Sequence, residues 1–217
     1  MAGVVAPGRF IAFEGGEGAG KSTQARLLAE ALRAQGLGVV VTREPGGTPG
    51  AEAIRALLLA PPGEGWLPEA EALLFAAARS DHVAHLIRPA LAQGEWVVCD
   101  RFVDSSRAYQ GGAGGLGDAA ILALHEFGSD SMRPDLVFLL EGDEASLAAR
   151  LTARDGNASD AIGGRPADYH RAVAAAFRAL AESAPDGIAR IDAIGDPRDV
   201  HASIMQALAP LLVAVQP

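Results

Sequence analysis

The chain has 217 residues, of which 49% are hydrophobic and 21% charged, with a formal net charge of −9 at pH 7. This length suffices for one α/β domain with a full core, so we expect a single domain over residues 1–217. The negative charge disfavours a surface for nucleic acid or anionic membranes, and no segment has the apolar length of a membrane span. The only cysteine, Cys99, excludes an intramolecular disulfide, and the N-terminus lacks a signal-peptide pattern, so we expect a cytoplasmic protein.

A glycine-rich segment near the N-terminus has the sequence of a P-loop and the flanking elements that a P-loop requires. The apolar residues 10–13 predict a buried strand before it, and the leucines of residues 27–32 predict a helix after it. The glycines allow the backbone N–H groups to surround a polyphosphate, and the helix N-terminus adds partial positive charge. Lys21, the only lysine in the chain, is expected to reach the β- and γ-phosphates. The residues expected to bind the nucleotide are Gly15, Gly16, Glu17, Gly18, Ala19, Gly20, Lys21, Ser22 and Thr23.

Strands and helices alternate along the rest of the chain. Further strands are predicted over residues 38–42, 95–100, 136–140 and 188–191. Further helices are predicted over residues 49–59, 68–93, 118–127, 143–154, 168–183 and 197–212, with Asp118 as a helix cap. The glycine-rich residues 110–117 predict a flexible loop, and the polar residues 155–167 predict a short mobile lid. This alternation predicts a P-loop NTPase-type α/β fold with three layers, in which helices flank a five-stranded parallel sheet and ligands bind at its carboxyl edge.

A carboxylate and an arginine end the predicted strand 95–100. Asp100 at a strand end is a candidate for holding Mg²⁺ or its waters, together with the hydroxyl of Ser22. The alternative for Asp100 is a helix cap or a turn residue. Arg101 follows directly, at the edge of the sheet where ligands of open α/β sheets bind.

Several function classes use a P-loop, and the sequence separates some of them. A GTPase needs an Asn-Lys-x-Asp guanine-binding motif, which a chain with Lys21 as its only lysine cannot supply. A small phosphotransferase remains, and it needs converging arginines and a lid that excludes water. The alternative from another class is a nucleotide-binding regulator without catalysis. The arginines near the expected ligand edge are Arg43, Arg79, Arg101, Arg154 and Arg165.

Five motifs in order and at matching spacing resemble those of bacterial thymidylate kinases. They are the P-loop Phe13–Thr23, Thr42-Arg-Glu-Pro-Gly-Gly-Thr48, Leu74-Phe-Ala-Ala-Ala-Arg79, Asp100-Arg-Phe102 and Ser105-x-x-x-Tyr109-Gln-Gly-Gly112. The resemblance covers nearly the whole chain. It implies ATP-dependent phosphorylation of dTMP to dTDP with Mg²⁺ in a homodimer. Another nucleoside-monophosphate or deoxynucleoside kinase of the same fold is the alternative enzyme.

The resemblance implies a role for each residue of the acceptor site. Phe75 would stack on thymine, and Arg79, one helical turn later, would donate to a thymine carbonyl. Arg43 and Arg101 would hold the acceptor phosphate. Without the resemblance, Phe75 reads equally well as a core aromatic, and either arginine as half of a surface ion pair. The remaining positions that match substrate-binding residues are Ser105, Ser106 and Tyr109, the last of which would pack under the deoxyribose.

The resemblance also implies a catalytic set and one departure from the family pattern. Glu17 would lie near the sugar and metal, and Lys21 and Arg101 would contact phosphates. Some relatives place an arginine in the P-loop where this chain has Gly18, so the arginine is expected in the lid. The common Asp-Arg-x-Glu lid motif is replaced here by residues 160–163, Asp-Ala-Ile-Gly. Arg154 and Arg165 are the substitutes, and Arg154 is favoured because it ends the helix that enters the lid.

Three further predictions concern other residues and surfaces. Arg150 is expected near adenine or in solvent. The five histidines are expected to be helix-surface or satisfied core residues, because none has metal-ligand spacing. The apolar face of residues 69–91 is a candidate dimer contact, although core packing explains the same pattern.

Overall fold

The computed structural model describes residues 8–155 and 161–213. Its centre is a parallel sheet whose five strands have the order β2-β3-β1-β4-β5. The strands are β1 Phe10–Gly15, β2 Val39–Arg43, β3 Trp96–Asp100, β4 Leu136–Glu141 and β5 Ile188–Asp192. The predicted α/β fold class and the number of strands are confirmed, and the strand bounds differ from the predictions by one or two residues. Since β1 lies in the middle of the sheet, the P-loop that follows it lies at the centre of the carboxyl edge.

Helices cover both faces of the sheet. They are α1 Lys21–Ala34, α2 Pro49–Leu59, α3 Pro68–His82, α4 Arg88–Ala92, α5 Val103–Ser106, α6 Asp118–Ser129, α7 Glu144–Asp155, α8 Ala167–Ser183 and α9 Pro197–Val213. Two π-helical segments, Val83–Ile87 and Arg107–Ala113, connect α3 to α4 and extend α5. The helix predicted over residues 68–93 is therefore present as three consecutive helical pieces.

The core has two halves, because alternate side chains of the buried strands point to opposite faces of the sheet. Phe10, Ala12 and Cys99 pack on one face with α8 and the segment around Ile87. On the other face, Ile11, Phe13 and Val98 pack with α1 and α9. In the described parts of the chain, no helix has the combined length and apolarity needed to cross a membrane.

The prediction of a flexible loop over residues 110–117 is wrong for its first four residues. Gln110–Ala113 belong to the second π-helical segment, where Gln110 and Gly111 are buried. The glycines there serve close packing: a Cβ on Gly112 would lie 2.7 Å from the Cβ of Ala176 on α8. A glycine-rich sequence that looks like a loop is in fact a helix that packs closely against another helix.

Two smaller differences concern helix starts. The helix α5 was not predicted. Asp118 was predicted to cap α6, but Gly117 occupies the cap position and Asp118 is the first helical residue. The Asp118 carboxylate accepts two hydrogen bonds from Arg107, at 2.7 and 2.9 Å, and so ties the start of α6 to the second π-helical segment.

Candidate active site

The P-loop joins β1 to α1, and glycine is required at its two ends. Gly15 has φ 136°, and a Cβ there would overlap the carbonyl oxygen of Leu140 on β4. Gly20 precedes α1 with φ 85° in the left-handed region. Lys21 is 6% exposed, and its Nζ donates to the carbonyl oxygens of Gly15 at 3.1 Å and Gly16 at 2.7 Å. Burial, followed by the nearby Arg101 guanidinium, lowers the pKa of Lys21 to about 8, which a bound phosphate would oppose by favouring the ammonium form.

Gly18 explains why this P-loop carries no arginine. Its φ is 75°, and a Cβ at this position would overlap the carbonyl oxygen of Leu147 on α7. A long side chain at Gly18 is therefore incompatible with the way α7 packs on the loop.

Ser22 and Asp100 form a pair of oxygen donors beside Lys21. The Ser22 hydroxyl donates a short hydrogen bond to the Asp100 carboxylate, which joins the start of α1 to the end of β3. Among the described residues no group of three or more His, Cys, Asp and Glu side chains is placed to hold a metal ion. Two hard oxygen donors nevertheless suit Mg²⁺, which usually takes one or two protein ligands and completes its shell with water and phosphate oxygens.

Arg101 bridges the P-loop and the acceptor side of the site. The residue has φ 72°, and its backbone N–H donates to the Phe13 carbonyl at 2.8 Å. Its guanidinium donates to Gly15 O at 3.0 Å, Ser105 Oγ at 3.0 Å and Glu17 Oε1 at 2.6 Å, and it lies 5.2 Å from the centre of the Tyr109 ring. Arg101 is therefore not in a surface ion pair but is fixed between both halves of the site.

Glu14 is a buried carboxyl that the sequence analysis did not identify. One of its oxygens accepts from the backbone N–H groups of Phe102 at 2.8 Å and Ser105 at 3.1 Å. Glu14, a residue of β1, therefore caps the N-terminus of α5. Its other oxygen is 2.5 Å from the Ser105 hydroxyl. Burial, and next the nearby Asp104 carboxylate, raise the pKa of Glu14 to about 8. The available signal was a single carboxyl residue inside the otherwise apolar run of β1.

A cavity of about 210 Å³ opens beside Lys21, and every predicted acceptor-site residue lines it. These residues are Arg43, Phe75, Arg79, Arg101, Ser105, Ser106 and Tyr109, together with the predicted catalytic and metal residues Glu17, Lys21, Ser22 and Asp100. Gln110 also lines the cavity, and its role was not predicted. The structure thus brings residues from the P-loop, β2, α3, β3 and α5 to one place, as a two-substrate site requires.

A buried hydrogen-bond chain holds Arg79 in the wall of this cavity. Arg79 donates to Glu44 Oε2 at 2.8 Å and to Ser106 Oγ at 2.7 Å. The other Glu44 oxygen lies 3.1 Å from His82 Nδ1, and His82 Nε2 lies 2.7 Å from Thr42 Oγ1. His82 is therefore a satisfied core histidine, in agreement with the prediction. Glu44 belongs to the Thr42–Thr48 motif but had no predicted role, and its contact with Arg79 shows that it orients that side chain.

A second cavity of about 300 Å³ lies on the other side of the P-loop. It is lined by Gly18–Gln24 and by residues that follow β5, including Gly195 and Pro197. Arg150 lies at this cavity and donates to the carbonyl oxygens of Ala193 at 2.6 Å and Gly195 at 3.2 Å. Arg150 therefore lines this cavity, and its expected position near adenine stays a prediction.

The two candidate lid arginines are Arg154 and Arg165. The side chain of Arg154 lies outside the described residues, as do residues 156–160 of the predicted lid. Arg165 donates short hydrogen bonds to Glu71 on α3 and to the Tyr169 hydroxyl on α8. Its guanidinium lies 4.6 Å from the centre of the Tyr169 ring. Arg165 is thus engaged on the acceptor side of the site.

Comparison with known proteins gives a consistent result across sequence and structure. The family model described as thymidylate kinase matches residues 13–204. A thymidylate kinase of Rhizorhabdus wittichii is 56% identical over 206 residues, covering 95% of this chain and 99% of the relative. A thymidylate kinase of Rhodopseudomonas palustris is 51% identical over 205 residues, covering 93% of this chain and 88% of the relative. The crystal structure of thymidylate kinase from Ehrlichia chaffeensis superposes with a TM-score of 0.74 at 32% identity, covering 94% of this chain and 100% of that one.

Proposed function

The chain belongs to the thymidylate kinase family and phosphorylates dTMP to dTDP with ATP, and we propose that dTMP binds in the 210 Å³ cavity. The observation that carries this placement is that Phe75, Arg79 and the phosphate-holding candidates Arg43 and Arg101 all line that one cavity. The cavity also reaches Lys21, so an acceptor phosphate held by the arginines would face a donor phosphate held by the P-loop.

The position of each acceptor-site residue supports a particular contact. Phe75 is half-buried at the cavity and can stack on the thymine ring. Arg79 is fixed by Glu44 and Ser106, so its remaining N–H groups can donate to a base carbonyl without first losing side-chain freedom. Tyr109 lines the cavity and is 4% exposed, and we propose that its ring packs against the sugar and rejects a 2′-hydroxyl.

ATP is proposed to occupy the 300 Å³ cavity with its phosphates on the P-loop. Arg150 bonds to the backbone that follows β5 and lies where an adenine ring would pack. The helix α1 begins at Lys21, so its first backbone N–H groups and their partial positive charge would face the phosphates.

We propose that the metal is Mg²⁺. The Ser22 hydroxyl would bind it, and the Asp100 carboxylate would bind it either directly or through a water molecule. When bound, Mg²⁺ would neutralise charge on the donor phosphates and fix their geometry. Arg101 contacts Glu17 and Ser105, which sets its guanidinium between the two substrates before either binds. The acceptor phosphate is itself the nucleophile, so the residues act by positioning and by stabilising charge rather than as strong bases.

Arg154 is proposed to supply the lid arginine that stabilises negative charge on the transferred phosphoryl group. Support comes from Gly18, which excludes an arginine from the P-loop, and from Arg165, which is already paired with Glu71. The positions of Gly18 and Arg165 thus favour Arg154 for this role.

A homodimer formed through α3 and α6 is also proposed. Phe127 on α6 is 92% exposed and Leu73 on α3 is 56% exposed, and these two helices pack side by side. Large apolar side chains on adjacent helices are typical of an interface between subunits.

We further propose a cytoplasmic location, which a single unpaired buried thiol at Cys99 supports.

A panel of acceptors tests the substrate assignment directly. Purified protein is incubated with ATP, Mg²⁺ and dTMP, dUMP, dCMP, UMP, AMP or GMP, and initial rates give kcat/KM for each. We expect the highest value for dTMP. A higher value for a purine monophosphate would refute the acceptor placement, and ATP binding without turnover on any acceptor would favour a regulator instead.

A further inference from the structure

Glu71 on α3 connects the end of the lid to the acceptor cavity. The residue is 8% exposed, and its two carboxylate oxygens have different partners. Oε1 accepts from Gln110 Nε2 at 2.9 Å, and Oε2 accepts a short hydrogen bond from Arg165. Gln110 lines the acceptor cavity, whereas Arg165 lies just before α8. One carboxylate therefore joins two segments that are distant in the sequence.

Arg165 is held in place by further contacts. Its guanidinium lies on the Tyr169 ring at 4.6 Å and donates a short hydrogen bond to the Tyr169 hydroxyl. That hydroxyl in turn donates to the backbone carbonyl of Tyr109 at 2.8 Å, next to Gln110 in the chain. The side chains of Arg165 and Tyr169 thus form a closed set of contacts with the second π-helical segment and α3. We call this set, Glu71, Gln110, Arg165 and Tyr169, the latch.

The latch fixes which end of the Gln110 amide faces the cavity. A carboxylate can only accept hydrogen bonds, so the amide nitrogen of Gln110 must face Glu71 and the amide oxygen must face away. Among the described residues, none donates to that oxygen. The same cavity wall carries the donor groups of Arg79. The lining of one cavity therefore includes an acceptor group on Gln110 and donor groups on Arg79.

We propose that Arg165 and Glu71 are positioning residues that select a thymine edge by holding the Gln110 amide in one orientation. This inference rests on the proposed function, since it requires the acceptor base to lie in the 210 Å³ cavity. Thymine offers an N3–H donor beside the O4 acceptor, which match the Gln110 oxygen and the Arg79 donors. Cytosine offers an N3 acceptor beside an N4 amino donor and would meet like groups at both places. Uracil has the same edge as thymine and is not discriminated by the latch.

Steady-state kinetics of Arg165→Ala and Glu71→Gln, with dTMP, dCMP and dUMP as acceptors, test the latch. Glu71→Gln allows the Gln110 amide to turn, because a neutral amide can donate as well as accept, and Arg165→Ala removes the partner that holds the Glu71 carboxylate against Gln110. We therefore expect the KM for dTMP to rise about tenfold in both variants. The preference for dTMP over dCMP in kcat/KM should fall about tenfold, since each orientation of the amide suits one base. The KM for ATP and the ratio of dTMP to dUMP should stay within about twofold of wild type.

Matched controls separate the latch from general effects of the substitutions. Glu69→Gln makes the same change at an exposed position of α3, and Arg171→Ala removes an arginine of α8 whose side chain is 58% exposed. Both should behave as wild type. If Glu71→Gln folds poorly, Arg165→Ala alone tests the latch, because the side chain of Arg165 is partly exposed. A partial loss of folded enzyme would lower the apparent kcat but would leave the ratios of kcat/KM between acceptors unchanged.

Two results would overturn the latch. In one, Arg165→Ala keeps the wild-type KM and the wild-type preference over dCMP. In the other, Arg165→Ala lowers kcat about 100-fold with an unchanged KM, which would assign Arg165 to the transferred phosphoryl group. Failure of wild-type enzyme to phosphorylate dTMP would instead refute the proposed function, so the two failures are distinguishable.

Discussion

Replacement of Glu14 by glutamine should remove a pH dependence of stability that this buried carboxyl imposes. The pKa of Glu14 is about 8 in the folded protein against an ordinary value of 4.5. The folded state therefore keeps a proton that the unfolded state releases between these values. Glu14 thus contributes its full stability below pH 4.5 and loses it progressively up to about pH 8.

The size of this effect follows from the shift. One pKa unit corresponds to about 1.4 kcal/mol, so the loss between pH 5 and pH 8 is on the order of 4 kcal/mol. In a chain of this length such a loss corresponds to roughly 10 °C in Tm. Glutamine retains an oxygen for the N–H groups of Phe102 and Ser105 and an N–H for the Ser105 hydroxyl, as the protonated carboxyl does.

The assay is thermal unfolding of wild type and Glu14→Gln at half-unit steps from pH 5 to pH 8.5. Titration of all other groups cancels in the difference between the two proteins, and Glu64→Gln, an exposed change of the same kind, serves as the control. We expect the Tm of the variant to gain on wild type as pH rises. A difference that stays constant over this range would show that Glu14 titrates normally and would refute the argument from burial.

Four other substitutions test the site and the subunit contact. Lys21→Arg should lower kcat roughly 100-fold, because a branched guanidinium does not fit in the place of the ammonium beside the Gly15 and Gly16 carbonyl oxygens. Normal turnover by this variant would refute the requirement for lysine. Arg154→Ala should lower kcat roughly 100-fold with little change in the KM for dTMP, and a silent variant would exclude Arg154 as the charge-stabilising residue. Asp100→Asn should raise the Mg²⁺ concentration for half-maximal rate about tenfold, whereas an unchanged value would remove Asp100 from the metal site. Phe127→Asp should convert the proposed dimer to monomer in light scattering after size-exclusion chromatography, and a dimer in this variant would place the interface elsewhere.

The elements with strong local signals were predicted well. The apolar strand before Gly15, the P-loop glycines and the start of α1 need only local sequence, and their positions agree with the structure. The helix through Gln110 was mistaken for a loop, because its glycines reflect close packing against α8 that only the folded chain reveals.

That these residues come together in one site was predictable only from the family motifs. Spacing alone left Phe75 and Arg101 open to ordinary structural readings, and the family resemblance was needed to place them in one site. The partners of those motif residues were not predicted. Glu71 and Arg165 are 94 positions apart, and no local pattern connects them. Glu44 and Glu14 likewise bind groups on other elements of the fold. Such contacts between distant segments cannot be predicted from one sequence alone.

The contact between Gly18 and α7 has an evolutionary consequence. Relatives that carry an arginine in the P-loop cannot be reached from this chain by one substitution, because the new side chain would collide with the Leu147 carbonyl while the backbone stays left-handed. A lineage changing from one arrangement to the other would have to shift α7 first and lose or duplicate the arginine on the way. The two versions of the enzyme are therefore expected to persist as separate branches.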